Sequence, residues 1–341
     1  MTEETHENQE ETISENPVAA ADAVDTLVIP VMRAADAIRQ EVGRVLIGQD
    51  DLVLHLIAGL FAGGHMLIEG VPGIAKTLSA KLLSRTMSLG YSRIQFTPDL
   101  MPSDVTGTTI FNLKTSEFTF NRGPVFSNII LIDEINRAPA KTQAALFEVM
   151  EEGQVTVDGI AYKMDQPFLV LATQNPIEQE GTYRLPEAQL DRFLFRIKIQ
   201  YPDLEQEIAI LERFRNQSWQ SLIDSVQSVL KPNDIINLRG LVEQVYIKDE
   251  LIAYIAKVVS QTRVDADLFL GASPRASLAL MRSAKALAAI QGRAFVTPDD
   301  IKSMAIPVLN HRIQVNPERE MEGLESTEVI RRILESIEIP R

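Results

Sequence analysis

Short apolar runs and longer segments of helical periodicity alternate along the first 200 residues of the chain. Continuous apolar runs lie at 66–68, 129–132 and 168–172, and a run of alternating polarity lies at 92–96. Continuous runs of this length are typical of strands that are buried on both faces of a parallel sheet. A last strand of this kind is predicted at 193–199.

Helical spacing of apolar residues begins at Val31 and continues to Val45. Further helices are predicted from Asp50 to about Phe61 and over 139–152. Beyond Pro202 the pattern indicates no further strand, and helical segments are predicted at 204–215, 249–262, 274–291, 298–305 and 327–337. These elements predict an α/β domain over about 27–200, followed by a small all-helical domain over 204–337.

Two hairpins interrupt the α/β pattern. The first joins residues 109–113 to 118–120, and the second places Asp158-Gly159 between two arms of alternating polarity. Insertions on a rigid scaffold are frequent sites of function. Residues 1–26 are rich in glutamate, and the first basic residue of the chain is Arg33, so we expect an acidic disordered tail there.

The composition excludes several classes of function. The net charge of −14 argues against a surface that binds nucleic acid non-specifically. The absence of cysteine excludes disulfides and thiolate metal sites, and the four histidines are not spaced as zinc ligands. No apolar run approaches the roughly 20 residues of a membrane span, and no signal peptide is recognisable. A cytoplasmic location is therefore the expectation.

The sequence Gly-Val-Pro-Gly-Ile-Ala-Lys-Thr at 70–77 lies between a predicted strand and a predicted helix. A loop of this kind directs backbone N–H groups at phosphate oxygens, and the helix N-terminus adds a favourable dipole. Lys76 can reach the β- and γ-phosphates, and the Thr77 hydroxyl can ligate Mg²⁺. Ala75 stands where a glycine is usual, and a side chain is tolerable there if the residue has a helical φ.

Polar residues follow the next two predicted buried strands. Asp133 and Glu134 end one of them, and Asn175 ends the other. In enzymes with such a loop, an Asp at this place holds Mg²⁺, and an adjacent Glu can activate the water that attacks the γ-phosphate. Asn175 is either a ligand of the γ-phosphate or water, or a turn residue before Pro176.

An arginine from a neighbouring subunit can stabilise the transition state of such a hydrolysis. Arg192, in Leu-Asp-Arg-Phe, and Arg275, in Ala-Ser-Pro-Arg, are the candidates. Their spacing alone does not distinguish them from solvated or structural arginines.

Taken together, these motifs resemble those of the MoxR family of AAA+ ATPases over residues 27–337. The resemblance rests on the phosphate loop with its Ala before the Lys, and on Gln-Phe-Thr-Pro-Asp-Leu-Met-Pro-Ser-Asp at 95–104. It also rests on Arg-Gly-Pro-Val-Phe at 122–126 and on the segments 133–138, 172–176, 185–193 and 271–275.

The resemblance implies a P-loop AAA+ domain with a five-stranded parallel sheet, a helical lid, and a ring, usually hexameric, with ATP and Mg²⁺ between subunits. It implies that Thr77 and Asp133 hold the metal, that Glu134 activates water and that Asn175 senses the γ-phosphate. It also implies that Arg192 is an arginine finger in trans and that Arg275 is the lid sensor, acting in cis or in trans. The implied nucleotide contacts are Gly48, Gln49, Gly70, Val71, Pro72, Gly73, Ile74, Ala75, Lys76, Thr77 and Leu78.

Proteins of this family resemble chaperones that mature or activate enzyme complexes, often with a partner that carries a von Willebrand factor A domain. No such domain is recognisable in this chain, so a separate partner is implied. The alternatives are a magnesium-chelatase-like subunit, an MCM-like nucleic-acid motor, and a switch that binds ATP without hydrolysing it. The acidic charge disfavours the motor, and the presence of Glu134, Asn175 and Arg192 disfavours the switch.

Overall fold

The computed structural model describes residues 17–340 except 72, 115, 177–181 and 184, with side chains from residue 27 onward. Its strands are β1 (Met66–Glu69), β2 (Tyr91–Gln95), β3 (Gly107–Asn112), β4 (Glu117–Arg122), β5 (Ile129–Asp133), β6 (Gln154–Val157), β7 (Ile160–Lys163), β8 (Leu169–Gln174), β9 (Phe195–Lys198), β10 (Leu268–Leu270) and β11 (Gln314–Val315). Its helices are α1 (Pro17–Gly43), α2 (Asp50–Ala62), α3 (Lys76–Arg85), α4 (Pro102–Thr106), α5 (Ala140–Glu152), α6 (Glu187–Leu190), α7 (Leu204–Phe214), α8 (Trp219–Ser225), α9 (Pro232–Glu243), α10 (Asp249–Gln261), α11 (Pro274–Ile290), α12 (Pro298–Leu309), α13 (Pro317–Met321) and α14 (Ser326–Ser336).

The predicted five-stranded parallel sheet is confirmed, with the strand order β2-β5-β8-β1-β9. The central strand β1 pairs with β8 on one side and β9 on the other, so that Ile68 lies opposite Thr173 and Ile197. Since the strands are parallel, the segments that follow β1, β5 and β8 all emerge at the same edge. The phosphate loop, Asp133 and Asn175 therefore lie at one edge of the sheet.

Both faces of the sheet are buried, which explains the continuous apolar runs. Alternate residues such as Ile68 and Leu171 contribute to a core that includes α1, α2, α3 and the lid helices. The intervening residues, such as Leu67 and Val170, pack with α4 and α5 on the other face. The side chains of β1 and β5 are buried at every position, as expected for inner parallel strands.

Helix α1 begins at Pro17, so residues 17–26 are helical and the expectation of a disordered tail is wrong for this stretch. The glutamate-rich segment 1–16 lies outside the described residues. The run Pro-Val-Ala-Ala-Ala-Asp-Ala-Val at 17–24 has a proline suited to the first turn of a helix and four alanines, the best helix former, which favour this extension.

The C-terminal part is helical as predicted, with one addition: β10 and β11 form a short antiparallel pair. Helices α8, α9 and α13 are further elements that the periodicity did not single out. For α9 a signal is present in the sequence, because Pro232 occupies the first turn and Asp234 caps the backbone N–H of Lys231. Helices α1 and α2 pack against α9 and α11, so the two predicted domains share one core.

Both predicted hairpins are confirmed, as β3–β4 and β6–β7. The β3–β4 hairpin exposes several large apolar side chains near its tip, among them Leu113 and Phe118, which are 86% and 74% exposed. Within the ranges described above, no helix combines the length and the apolar character that a membrane crossing requires.

Candidate functional site

The phosphate loop connects the end of β1 to the start of α3. The backbone N–H of Gly70 donates to the Gln174 carbonyl at 3.3 Å, which ties the loop to the end of β8. The Lys76 ammonium lies inside the loop, where it donates to the carbonyl of Gly70 and, at 3.4 Å, to that of Gln174. A lysine in this position carries its charge to the place where phosphate oxygens would sit.

Two glycines shape the loop. A Cβ on Gly70 would lie 2.3 Å from Ile74 Cδ1 and 3.2 Å from the Ile199 carbonyl, and Gly73 has a φ of +86°. Gly73 therefore uses a conformation that favours glycine, and a side chain at Gly70 would crowd Ile74 and the Ile199 carbonyl, which fits a tight cradle for phosphate. Pro72 lies outside the described residues.

Ala75 departs from the conformation that the sequence analysis required of it. Its φ of 64° and ψ of 19° are left-handed rather than right-handed helical. A Cβ in this region costs roughly 1–2 kcal/mol, which explains why glycine is usual at this position of phosphate loops. The Ala75 methyl packs against the core with Val71 and Leu78, whereas Ile74 is buried within it.

Asp133 is a buried carboxylate of the site that accepts hydrogen bonds at both of its oxygens. It is 5% exposed, and its Oδ1 accepts hydrogen bonds from the hydroxyls of Thr77 at 3.3 Å and Thr173 at 3.2 Å. Its Oδ2 accepts from Arg93 Nε at 2.6 Å. Thr77 and Asp133 thus bring a hydroxyl and a carboxylate oxygen together, which is the donor set that Mg²⁺ prefers.

Glu134 follows β5 in a left-handed conformation, with φ 57° and ψ 53°. Its Oε2 accepts a hydrogen bond from Gln95 Nε2 at 2.7 Å and lies 3.4 Å from Arg137 Nε. Its backbone N–H donates to the Thr173 hydroxyl at 3.1 Å. A strained, non-glycine residue whose carboxylate is held from two sides is typical of a functional position.

Asn175 is buried and directly follows Gln174, whose carbonyl accepts from Gly70 and Lys76. The structure thus brings Lys76, Thr77, Asp133, Glu134 and Asn175 together at the carboxyl edge of the sheet. This position is where ligands bind in open α/β sheets.

Gly48 and Gln49 line a separate cavity of about 1020 Å³, together with Arg196, Ile199 and Asn310. Because the Ile199 carbonyl also approaches Gly70, the cavity adjoins the phosphate loop. Gly48 has a φ of +70°, and a Cβ there would lie 2.5 Å from Gln206 Cδ. The cavity is large enough for a nucleoside.

Arg192 and Arg275 lie elsewhere. Arg192 lies three residues before β9, and the backbone N–H of Leu194 donates to the carbonyl of His65, the residue before β1. Arg192 is therefore at the amino edge of the sheet, opposite to the edge of the phosphate loop. Glu151 holds both arginines, with Arg192 Nη2 at 2.7 Å from Oε2 and Arg275 Nη2 at 2.9 Å from Oε1.

Sequence reasoning missed two ion pairs that shape these regions. Arg196 pairs with Glu69 through two hydrogen bonds of 2.8 Å, at the last residue of β1 before the loop. Arg312 pairs with Asp191 at 2.7 Å, next to Arg192. Asp191 belongs to the motif 185–193, but its partner lies 121 residues later in the sequence, so no local pattern could have indicated it.

His65 joins three elements near the Arg192 edge. Its Nδ1 accepts from the Val170 N–H at 3.0 Å, and its Nε2 lies 3.1 Å from the Met150 carbonyl. Burial, with a smaller contribution from the nearby cations of Arg239 and Arg282, lowers the pKa of His65 to about 4. The ring is therefore neutral at pH 7, which matches its role as acceptor at one nitrogen and donor at the other.

Comparisons with known proteins agree with this geometry. Residues 65–195 match the ATPase family associated with various cellular activities (AAA), and residues 260–333 match the AAA lid domain. The uncharacterized protein YeaC of Bacillus subtilis is 44% identical over 301 residues, which cover 88% of this chain and 93% of YeaC. Chaperone MoxR1 of Mycobacterium tuberculosis is 42% identical over 310 residues, or 88% of this chain and 81% of MoxR1.

A solved structure is similar over nearly the whole chain. The crystal structure of a candidate ATPase from Cytophaga hutchinsonii superposes with a TM-score of 0.86 at 44% sequence identity. The match covers 94% of this chain and 99% of the other. The sheet, the lid and their arrangement are therefore shared with a known protein.

Proposed function

Because the chain belongs to the MoxR family of AAA+ ATPases, we propose that it hydrolyses ATP at sites shared between two subunits of a ring. Turnover then remodels a partner protein complex, in the manner of a chaperone. The observation that carries this proposal is the separation of two groups of residues. The phosphate-binding residues lie at one edge of the sheet, and Arg192 and Arg275 lie at the other.

Nucleotide binding falls to the loop and the adjoining cavity. Lys76 and the backbone N–H groups of residues 73–78 bind the phosphates, and Gly48 and Gln49 lie against the base. Bound Mg²⁺-ATP supplies the γ-phosphoryl group and a divalent charge that neutralises the phosphates. Thr77 and Asp133 hold the metal, and Arg93 and Thr173 keep the Asp133 carboxylate in place.

Water activation falls to Glu134. The Glu134 carboxylate accepts a proton from the water that attacks the γ-phosphorus in line with the leaving oxygen. Gln95 and Arg137 orient the carboxylate, and Asn175 orients the water or the γ-phosphate from the end of β8. This set of residues supports hydrolysis over a switch that only binds ATP.

In this proposal the arginines act on the nucleotide of a neighbouring subunit rather than on that of their own. Strand β1 has four residues, so its two ends are about 13 Å apart at 3.3 Å per residue. Arg192 lies beyond one edge and Gly70 beyond the other. A ring in which the Arg192 edge of one subunit faces the phosphate loop of the next brings the two groups together.

The shared carboxylate of Glu151 supports a trans role for Arg275 as well. The side chains of Arg192 and Arg275 are 28% and 59% exposed, and both contact the Glu151 carboxylate, so the two arginines lie beside each other. Two cations at one place suit the charge that develops on the transferred phosphoryl group. We take the ring to be a hexamer, as is usual in the family.

The remodelling activity requires a surface for a client. The β3–β4 hairpin exposes Ile110, Phe111, Leu113 and Phe118, an apolar tip of the kind that contacts partner proteins. We infer that this hairpin and β6–β7 face the client, and that a separate protein with a von Willebrand factor A domain links the ring to it. The identity to MoxR1 supports this reading over a magnesium-chelatase subunit.

Three variants test the enzymatic part. Lys76→Ala should abolish ATP binding in calorimetry, whereas Glu134→Gln and Arg192→Ala should bind ATP and lose turnover. Wild-type turnover that equals that of Glu134→Gln would contradict hydrolysis at this site. Intact ATP affinity in Lys76→Ala would contradict the assignment of the loop.

Capture from the native cell tests the remodelling part. Glu134→Gln with ATP should retain the assembled ring with its client, and Lys76→Ala is the matched control that cannot load nucleotide. A von Willebrand factor A protein and one enzyme complex, retained only by Glu134→Gln, are the expected result. Recovery of DNA-processing proteins instead would support the motor.

A further inference from the structure

The lid contacts the arginine-finger segment through three consecutive residues. Asn310, His311 and Arg312 follow α12, and each of them hydrogen-bonds to the segment 191–196 that contains Arg192 and leads into β9. These contacts join two parts of the chain that are more than 110 residues apart in sequence. These are therefore long-range tertiary contacts and not contacts within a local turn.

Arg312 makes most of these contacts. Its side chain is 3% exposed, and its Nε donates to Asp191 Oδ1 at 2.7 Å. Its Nη2 donates to the Phe193 carbonyl at 2.6 Å, and its Nη1 donates to the Leu194 carbonyl at 3.1 Å. A guanidinium is planar and has five donors in a fixed geometry, so it holds the backbone on both sides of Arg192 rigidly.

The two preceding residues extend the contact along the same segment. Asn310 Nδ2 donates to the Arg196 carbonyl at 3.0 Å, and His311 Nε2 lies 2.9 Å from the Phe193 carbonyl. Asn310 lines the cavity beside Gly48 and Gln49. Arg312 lines a different cavity, of about 320 Å³, together with Arg192 and Arg275.

Asp191 connects the second arginine to the same network. Its Oδ2 accepts a hydrogen bond from the Ser273 hydroxyl at 3.0 Å, while its Oδ1 accepts from Arg312. Ser273 is the residue before α11, and Arg275 lies in the first turn of that helix. One carboxylate therefore ties Arg312 to the segments that carry Arg192 and Arg275.

We propose that Arg312, through Asp191, is the positioning residue of the arginine finger, and that the segment 310–312 links the nucleotide cavity of a subunit to the finger that the subunit supplies to its neighbour. Arg312 itself contacts no nucleotide in this account. The proposal rests on the proposed function, because it requires Arg192 to act on the adjacent subunit. It adds that the lid, and not only the sheet, fixes where Arg192 points.

Arg312→Lys and Asp191→Asn test the proposal, since both preserve size better than alanine would. Arg312→Lys keeps the charge and loses the fork, so the finger should shift while the site of the same subunit stays intact. Displacement of a catalytic group by about 1 Å can lower a rate on the order of 100-fold. We expect kcat to fall at least tenfold, with ATP affinity in calorimetry within twofold of wild type.

Rings that mix two variants distinguish a positioning role of Arg312 from a general loss of structure in the Arg312→Lys subunit. A subunit with Arg312→Lys retains its own Glu134, and a subunit with Glu134→Gln retains its own finger. In an equal random mixture, about a quarter of the sites combine the intact half of each variant, because the interface is head-to-tail. Turnover of the mixture above that of either variant alone is the expected result.

Arg293→Lys is the matched control. Arg293 pairs with Asp300 through two hydrogen bonds, of 2.7 and 2.6 Å, in the same lid and away from residues 191–196. This variant should keep wild-type kcat. An equal loss of kcat in Arg293→Lys and Arg312→Lys would overturn the proposal, because general weakening of the lid would then explain the effect.

A mixture of Arg192→Ala and Glu134→Gln subunits tests the trans role of Arg192 separately from the positioning role of Arg312. If this mixture recovers turnover and the mixture with Arg312→Lys does not, the positioning role is wrong and the trans finger stands. If neither mixture recovers turnover, the shared site itself is wrong. Asp191→Asn should behave as Arg312→Lys does, and wild-type turnover in Asp191→Asn would also overturn the proposal.

Discussion

Protonation of His65 should destabilise the folded protein as the pH falls below neutral. The neutral ring accepts a hydrogen bond from the Val170 N–H and donates one to the Met150 carbonyl. A protonated ring cannot accept, so the Val170 contact would become repulsive. Burial holds the pKa of His65 at about 4 in the folded state, against about 6.5 in an unfolded chain.

The sign and the size follow from proton linkage. The unfolded state binds the proton more tightly, so stability is complete above the unfolded pKa and is lost as the pH falls from there toward the folded pKa. With values of about 6.5 and about 4, the free energy of unfolding decreases by up to about 2 kcal/mol between pH 7.5 and pH 5. This is a substantial fraction of the 5–15 kcal/mol that is typical of a folded domain.

Urea unfolding at the two pH values, for wild type and His65→Gln, measures this contribution. Glutamine can donate to Met150 and accept from Val170 without titrating, so the variant should lose up to about 2 kcal/mol less than wild type over this interval. His55 and His311 also have lowered pKa values because they are buried, but they are present in both proteins and cancel in the difference. An equal pH dependence in the two proteins would refute the assignment of a neutral His65.

Three further predictions concern the loop and its surroundings. Arg196→Met leaves the Glu69 carboxylate, 7% exposed, without its partner and should cost about 2–3 kcal/mol in urea unfolding, whereas Glu69→Met in the same chain should restore most of the loss. If the double variant is no more stable than Arg196→Met, this argument fails. Gly48→Ala places a Cβ on a residue of left-handed backbone conformation, where it meets Gln206, and should weaken ATP binding about tenfold in calorimetry. Adding Gln206→Ala should recover part of the lost affinity. Unchanged affinity in Gly48→Ala would contradict the role of the cavity. Thr77→Ala should raise the Mg²⁺ concentration that gives half-maximal turnover by about tenfold or more, because one metal ligand is lost. Thr77→Ser keeps the hydroxyl and should not raise it. Equal Mg²⁺ dependence in the two variants would exclude the hydroxyl as a ligand.

The central sheet and the phosphate loop were predictable because their signals are local. Strands β5 and β8 are continuous apolar runs that end in polar residues, and this pattern requires burial on both faces. The glycines at 70 and 73 mark a tight loop, in which Gly73 has a positive φ. The gathering of Asp133 and Asn175 near Lys76 then follows from parallel strands whose carboxyl ends share an edge.

The remaining features depend on contacts between distant parts of the chain. The pairing of β10 with β11 joins segments of three and two residues, too short to show a period. The contacts of Arg312 with Asp191 and of Arg196 with Glu69 span 121 and 127 residues. The left-handed Ala75 was not predicted either, because alanine gives no signal for a positive φ.

The most direct test of the shared site is the ATP turnover per subunit as a function of protein concentration, with ring assembly followed by light scattering. Wild-type turnover per subunit should rise with concentration in parallel with assembly, because a lone subunit lacks the arginines of its neighbour. Arg192→Ala should assemble and bind ATP, and its turnover should stay low at every concentration. Full turnover in dilute, unassembled wild-type protein, or wild-type turnover in Arg192→Ala, would contradict a site built from two subunits.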